Sequence, residues 1–330
     1  SVWICEFTAP SQEFQKNLQR LLDAGVKAQN IFQEDIRESC SENVVLIDAI
    51  LGSGIRHPLE GKLTEVFTLL NQMPKHALIS IDIPSGFHPD LPMPEDAVAL
   101  EADFTLCFHR PRLMFFFSES ERYTGQWEIL DIGLQEPEEI SSPFCYQLKH
   151  ELTPIVEKRK NFCHKGSFGH VFIAGGSEGH CGSITMTTKA CLRSGAGLVT
   201  TLLPQACLIP FQANCMEAMT LHSDAETHLR YSSLKADKFK VIAFGPGAGM
   251  HEDTARLLKL LIQESRGPMV IDADGLNILA ENKTWLSFIP PFSILTPHPA
   301  EFDRIAGKSH DSFQRFEKAI DFSAKHRLIL

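Results

Sequence analysis

Apolar residues along this 330-residue chain fall into short continuous runs that alternate with stretches whose apolar positions recur every three to four residues. The first pattern predicts buried strands and the second amphipathic helices. The alternation is clearest near the middle. Val171 to Ala174 reads as a strand, Gly175-Gly176-Ser177 as a turn, Ile184 to Leu192 as a helix stopped by Gly195 and Gly197, and Leu198 to Leu203 as a second strand. Such a βαβ unit crosses over right-handed. It sets backbone N–H groups at the carboxyl end of a parallel sheet, where anionic ligands bind. No Lys-Ser or Lys-Thr pair follows Gly182, so the loop is not a Walker A motif, and the Gly-x-Gly-x-x-Gly spacing is missing too. The glycines also fit plain tight turns.

The same alternation fills the first half. Val2 to Cys5 is a strand. Gln12 to Ala24 is a helix with Phe14, Leu18, Leu21 and Leu22 on one face and Gly25 as its stop. Val44 to Leu51 is a strand containing Asp48, followed by Gly52-Ser53-Gly54; Leu59 to Asn71 is a helix; Ala77 to Ile83 is a strand carrying Asp82 and then Pro84-Ser85-Gly86. Ala102 to Phe108, Met114 to Phe117 and Gln126 to Ile132 are expected to be further strands. Two strands thus end in an aspartate and a glycine-containing turn. Carboxylates at the mouth of a parallel sheet bind or react, although an aspartate there also caps turns.

After Ile132 the chain turns polar, and Ser141-Ser142-Pro143 breaks structure, which places a linker within 134–150 and domains at 1–140 and 150–330. In the second half, Phe211 to Glu217 reads as helical. Val241 to Phe244 is a strand leading into Gly245-Pro246-Gly247-Ala248-Gly249, and Asp253 to Gln263 is a helix. Met269 to Ile271 leads into Asp272-Ala273-Asp274-Gly275-Leu276-Asn277, Ile294 to Thr296 into Pro297-His298-Pro299, and Asp311 to His326 is a long helix. Every strand end is polar and flexible, the pattern of a ligand-binding edge.

Composition narrows the classes. A chain that is 43% hydrophobic and 22% charged is globular rather than disordered. A net charge of −10 argues against a nucleic-acid partner. Nine cysteines without a Cys-x-x-Cys pair point to reduced thiols of a cytoplasmic protein. Fourteen histidines without His-x-x-x-His spacing argue against a transition metal, and no apolar run is long enough for a membrane span. The chain opens on Ser1 and a strand, and Leu328 to Leu330 reads as a strand cut short; both ends are expected to be missing.

The segments D-A-I-L-G-S-G (Asp48 to Gly54) and I-D-I-P-S-G (Ile81 to Gly86) resemble the signatures of NAD(P)H-hydrate epimerases. The resemblance implies potassium at Asp48 and Ser85, and a substrate pocket of Gly52, Ser53, Gly54, Ile55, Arg56, His57, Pro58 and Asp82. Asp82 is then the acid/base. The family's Asn-Asn-Gly-Gly-Asp-Gly loop is absent here. Further on, H-K-G-S-F-G, A-G-G-S, G-S-I-T-M with R-S-G-A-G-L-V, G-P-G-A-G, D-A-D-G-L-N and T-P-H-P-A-E together resemble the ADP- or ATP-dependent NAD(P)H-hydrate dehydratases. That resemblance implies Ser183, Gly247 and His298 on the hydrated cofactor, with Asp274 and Asn277 shaping the pocket. Ser183 stands where the family usually has alanine. Lys165 fits either a phosphate contact or a solvated surface.

Together the resemblances imply a bifunctional repair enzyme with two three-layer α/β domains, Rossmann-like and then ribokinase-like. It would epimerise R/S hydrated NADH or NADPH and dehydrate the S form with ADP or ATP, with magnesium as the companion ion. The resemblance also implies self-association. The family's Lys-Gly strand and Gly-x-Gly-Asp segment are absent, so little or no dehydratase activity is expected from this chain. Two other classes compete: a ribokinase-like kinase of a vitamin-precursor alcohol, which does not explain the first half, and a non-catalytic cofactor-binding or scaffold protein.

Overall fold

The computed structural model describes residues 1–6, 10–39, 41–52, 59, 61–135, 159–231 and 238–330. The chain divides into two compact units, Ser1–Pro143 and Phe144–Leu330.

The first unit opens with β1 (Val2–Ile4), α1 (Gln12–Asp23) and β2 (Ala28–Asn30). Ser11 caps α1 by accepting the Phe14 N–H, and Gly25 follows the helix with φ +78°. Next come β3 (Val45–Asp48), α2 (Lys62–Gln72), β4 (Ala77–Ile81), β5 (Phe104–Phe108), α3 (Glu121–Thr124) and β6 (Gln126–Leu130). Leu63, Val66, Phe67 and Leu70, spaced at three and four residues, turn one face of α2 into a core shared with Leu78, Leu100 and Ala102. The strands form two separate sheets, β1-β2 and β3-β4-β5-β6, with parallel pairing throughout. A cavity of about 790 Å³ is lined by Val2, Trp3 and Ile4 on one side and by Val45, Leu46 and Ile47 on the other.

The second unit holds β7 (His170–Ala174), α4 (Cys181–Arg193), β8 (Leu198–Leu203), α5 (Gln205–Asn214), β9 (Met219–His222), β10 (Val241–Phe244) and α6 (Glu252–Glu264). It continues with β11 (Met269–Ile271), α7 (Asp274–Glu281), β12 (Ile294–Leu295), α8 (Pro299–Ala306) and α9 (Ser312–His326). One parallel sheet runs in the order β12-β11-β10-β7-β8-β9. The period of two in each strand sorts side chains to two faces. Phe172, Ala174, Ile242 and Phe244 meet Leu257, Leu261, Leu276 and Phe302 from α6, α7 and α8. Ile173, Val199 and Leu203 meet Ile184 of α4 and Cys207 and Phe211 of α5. This is a three-layer α/β unit.

Three expectations need correction. The apolar run at Met114 to Phe117 is not a strand: Leu113–Phe116 forms a 3₁₀ turn, with Met114 and Phe115 buried. The helix expected at Phe211 to Glu217 instead spans Gln205–Asn214, with Pro210 inside it, and ends where Cys215 leaves helical geometry at φ −144°. The thiols are not all reduced, because Cys181 and Cys207 form a disulfide with a Cα–Cα distance of 5.2 Å. Among the described residues no helix is long and apolar enough to cross a membrane.

Candidate functional site

In the second unit all strands are parallel, so their carboxyl ends share one edge. The chain leaves β7 towards β8 and β9 on one side, and places β10, β11 and β12 on the other. The order reverses between β7 and β10, which opens a crevice at that point. The loops that flank it are Gly175 to Ser177 and Gly245 to Gly249. They are stitched together: Gly176 N–H donates to Pro246 O (2.9 Å), Gly245 N–H to Ala174 O (3.1 Å), and Ser177 Oγ to Gly247 O (2.9 Å).

Two glycines are needed here on steric grounds. A Cβ at Gly245 (φ +129°) would lie 1.8 Å from Asp272 O. One at Gly247 (φ +64°) would lie 2.9 Å from His180 O and 3.2 Å from Ser183 Cβ. The fold therefore brings Gly247 and Ser183 together, at the start of α4, where unpaired N–H groups point outward.

The next loops continue the edge. Gly249 N–H donates to Asp274 Oδ2 (2.9 Å), Asn277 Nδ2 to Asp274 Oδ1 (3.3 Å), and Arg304 to Asn277 Oδ1 (2.6 Å). Thr296 Oγ1 donates to Asp272 Oδ1 (2.8 Å). His298 caps α8: its Nδ1 accepts the Ala300 N–H (3.2 Å) and the Glu301 N–H (3.4 Å), and its side chain is 58% exposed. Its Nε2 lies 3.4 Å from Glu301 Oε1, so both ring nitrogens have partners within the first turn of α8. Lys165, in a 3₁₀ turn before β7, is exposed.

The first unit uses carboxylates instead of glycine loops. Asp48 ends β3 and is buried, as is Ser85. Asp48 Oδ1 accepts Ser85 Oγ–H (2.6 Å) and Ile50 N–H (3.2 Å); Oδ2 accepts Ser85 N–H (2.7 Å) and Ser80 Oγ–H (2.9 Å). Carboxylate and hydroxyl oxygens are the right donors for a hard cation. Here, however, both carboxylate oxygens are filled by hydrogen bonds, and Ser85 Oγ also accepts Leu51 N–H (2.8 Å). The pair as it stands is a clamp between two strand ends and does not fit a cation without rearrangement.

Asp82 follows β4 with φ +68°, a region an aspartate tolerates at some cost. Its carboxylate accepts Phe108 N–H (3.3 Å) and is bridged by one Arg112 nitrogen, 3.2 Å from Oδ1 and 3.3 Å from Oδ2. Arg112 escaped the sequence reading, since it lies thirty positions from its partner and belongs to no strand. Gly52 is exposed, and Ser53, Gly54, Ile55, Arg56, His57 and Pro58 lie outside the described residues.

Fold and loops define a two-unit parallel α/β protein with a candidate ligand edge in each unit. Residues 2–114 match the family of the YjeF-related protein N-terminus, and residues 171–329 match the NAD(P)H-hydrate dehydratase family. The chain is 30% identical to the bifunctional NAD(P)H-hydrate repair enzyme Nnr of Coxiella burnetii, over 87% of this chain and 57% of that protein. It is 32% identical to the Escherichia coli protein of the same name, over 80% and 50%. A solved ADP/ATP-dependent NAD(P)H-hydrate dehydratase from Bacillus subtilis, co-crystallized with ATP/Mg2+, is 22% identical over 53% of this chain and 62% of that one, at a TM-score of 0.42. The chain thus carries a YjeF-related N-terminal domain followed by an NAD(P)H-hydrate dehydratase domain, and over most of its length it is similar to proteins named bifunctional NAD(P)H-hydrate repair enzymes. It spans little more than half the length of these curated relatives.

Proposed function

We propose that the chain acts in repair of hydrated nicotinamide coenzymes, the first unit epimerising R and S hydrated NADH or NADPH and the second dehydrating the S form. The observation that carries this reading is the succession of the two family domains over residues 2–114 and 171–329 of one chain. In the first unit Asp82 is the acid/base that moves the proton during epimerisation. The pocket around it includes Gly52 and residues 53–58. Potassium enters this reading at Asp48 and Ser85, which would exchange part of their hydrogen bonding for coordination.

In the second unit the ring hydroxyl of the substrate is a poor leaving group. ADP or ATP with magnesium, when bound, supplies the phosphoryl group that makes it a good one. The chain's own part is positioning and charge stabilisation. Backbone donors at the start of α4 face anionic oxygens. Ser183, Gly247 and His298 hold the nicotinamide portion, and Asp274 and Asn277 shape the wall beside it. Self-association is part of the same reading.

The test is a mixture enriched in one epimer of hydrated NADH, incubated with the purified chain and separated by chromatography. Return of the epimers to equilibrium is the expected result, and an unchanged ratio would refute the epimerase half. Adding ADP or ATP with magnesium and following NADH absorbance tests the other half. Slow nucleotide-dependent recovery, above a control without nucleotide, is the expected result, and none would refute the dehydratase half.

A further inference from the structure

We propose that Arg112 is the positioning residue of the first unit, holding the Asp82 carboxylate in place and aimed for proton transfer. The inference deepens the epimerase reading and rests on it for the reaction, though not for the ion pair. Three observations carry it. One Arg112 nitrogen spans both carboxylate oxygens at 3.2 and 3.3 Å, so the guanidinium restrains carboxylate rotation as well as its charge. The pair is partly withdrawn from water, with side chains 31% and 19% exposed, where a charge contact outweighs its surface counterpart. Arg112 Nε is buried with no hydrogen-bond partner among the described residues, so the fold accepts an unsatisfied donor to keep this guanidinium beside Asp82.

Local geometry explains how it is held there. Asp82 stands at the carboxyl end of β4 in left-handed backbone, its own N–H bonded to Leu106 O of β5 (2.8 Å). The chain leaves β5 at Phe108, and Pro111 fixes the approach to Arg112, which begins the 3₁₀ turn Leu113–Phe116. Phe108 N–H and Arg112 thus reach Asp82 from one segment. Among the described residues, a titratable group near the pair is the Cys107 thiol on β5, pushed up to about 11 chiefly by burial and so uncharged at neutral pH. His109 and Arg110 lie on the same segment, and Asp48 at the next strand end is bound by Ser80 and Ser85. Arg112 is a cation in direct hydrogen-bond contact with Asp82.

The test labels the intact chain with ¹³C at aspartate carboxyls and identifies the Asp82 signal by its loss in D82N. At one fixed neutral pH the signal should move in R112M, which removes the guanidinium contact, and move less in R112K, which keeps the charge without the planar fork. Epimerisation by R112M should lose about tenfold or more in kcat with KM little changed, and R112K should recover part of it. R112K is the control for folding, alongside circular dichroism of both variants. An Asp82 signal equal in wild type, R112K and R112M would overturn the proposal, as would a moved signal with an unchanged kcat in R112M. A wild-type chain that does not epimerise would refute the function proposed above, while the carboxyl signal alone would still decide whether Arg112 holds Asp82.

Discussion

In the second unit the sheet runs unbroken from β12 to β9, and each face is buried under helices. In the first unit β1-β2 stands apart from β3-β4-β5-β6, a cavity of about 790 Å³ lies between β1 and β3, and α1 buries none of its residues. Val45 and Ile47 on the facing edge are 45% and 69% exposed. Strands of parallel sheets are ordinarily covered on both faces and paired on both sides. The difference shows in how the two candidate sites are held. At the closed sheet, position comes from the backbone: glycine loops bonded to one another across the crevice. At the open one it comes from side chains, the Asp48–Ser85 clamp and the Asp82–Arg112 pair.

That contrast can be broken at the glycines first. Gly245→Ala should cost about 3 kcal/mol or more, because the new Cβ would sit 1.8 Å from Asp272 O in a backbone region that favours glycine. Gly52→Ala, where no described residue lies within 4 Å of the new carbon, should change stability by less than about 0.5 kcal/mol. Denaturant unfolding of both variants checks the pair. Equal effects would mean that the loops of the second unit are not the rigid part.

A smaller effect sharpens the account of the closed sheet. Burial lowers the pKa of His170 on β7 below its usual value, and its Nε2 lies 2.8 Å from Thr200 Oγ1 on β8. The neutral ring is favoured in the folded state, so the unfolded chain binds the proton more readily. This contribution is fully present above the unfolded value, about 6.5, and is lost as pH falls through the folded one. Between pH 7 and pH 5 the wild type should therefore lose more stability than H170Q, as read from unfolding midpoints in both buffers. Parallel losses would remove His170 from the balance.

Much of this was legible in the sequence, for identifiable reasons. Period-two and period-3.6 patterns marked the strands and helices that bury large apolar side chains, such as Phe172, Phe244 and Phe67. Strand ends were visible as apolar runs giving way to Asp48, Asp82, Gly175, Gly245 and His298, because a parallel sheet puts its polar turns at one edge. The misses were short or ambiguous elements. Ala28–Asn30 and Met219–His222 are too short for a period to stand out. The run Leu113–Phe117 is apolar without a period, so it could not separate a strand from a 3₁₀ turn. Cys181 and Cys207 are 26 residues apart and meet only because adjacent strands place α4 beside α5. Arg112 was invisible for the same reason: its partner lies across β4 and β5.

Titration calorimetry of hydrated NADH into the intact chain tests the central claim, that both units bind one damaged coenzyme. The account predicts two binding events per chain, one lost in D82A and the other weakened in H298A. A single event, or none, or two events untouched by both substitutions, would contradict it.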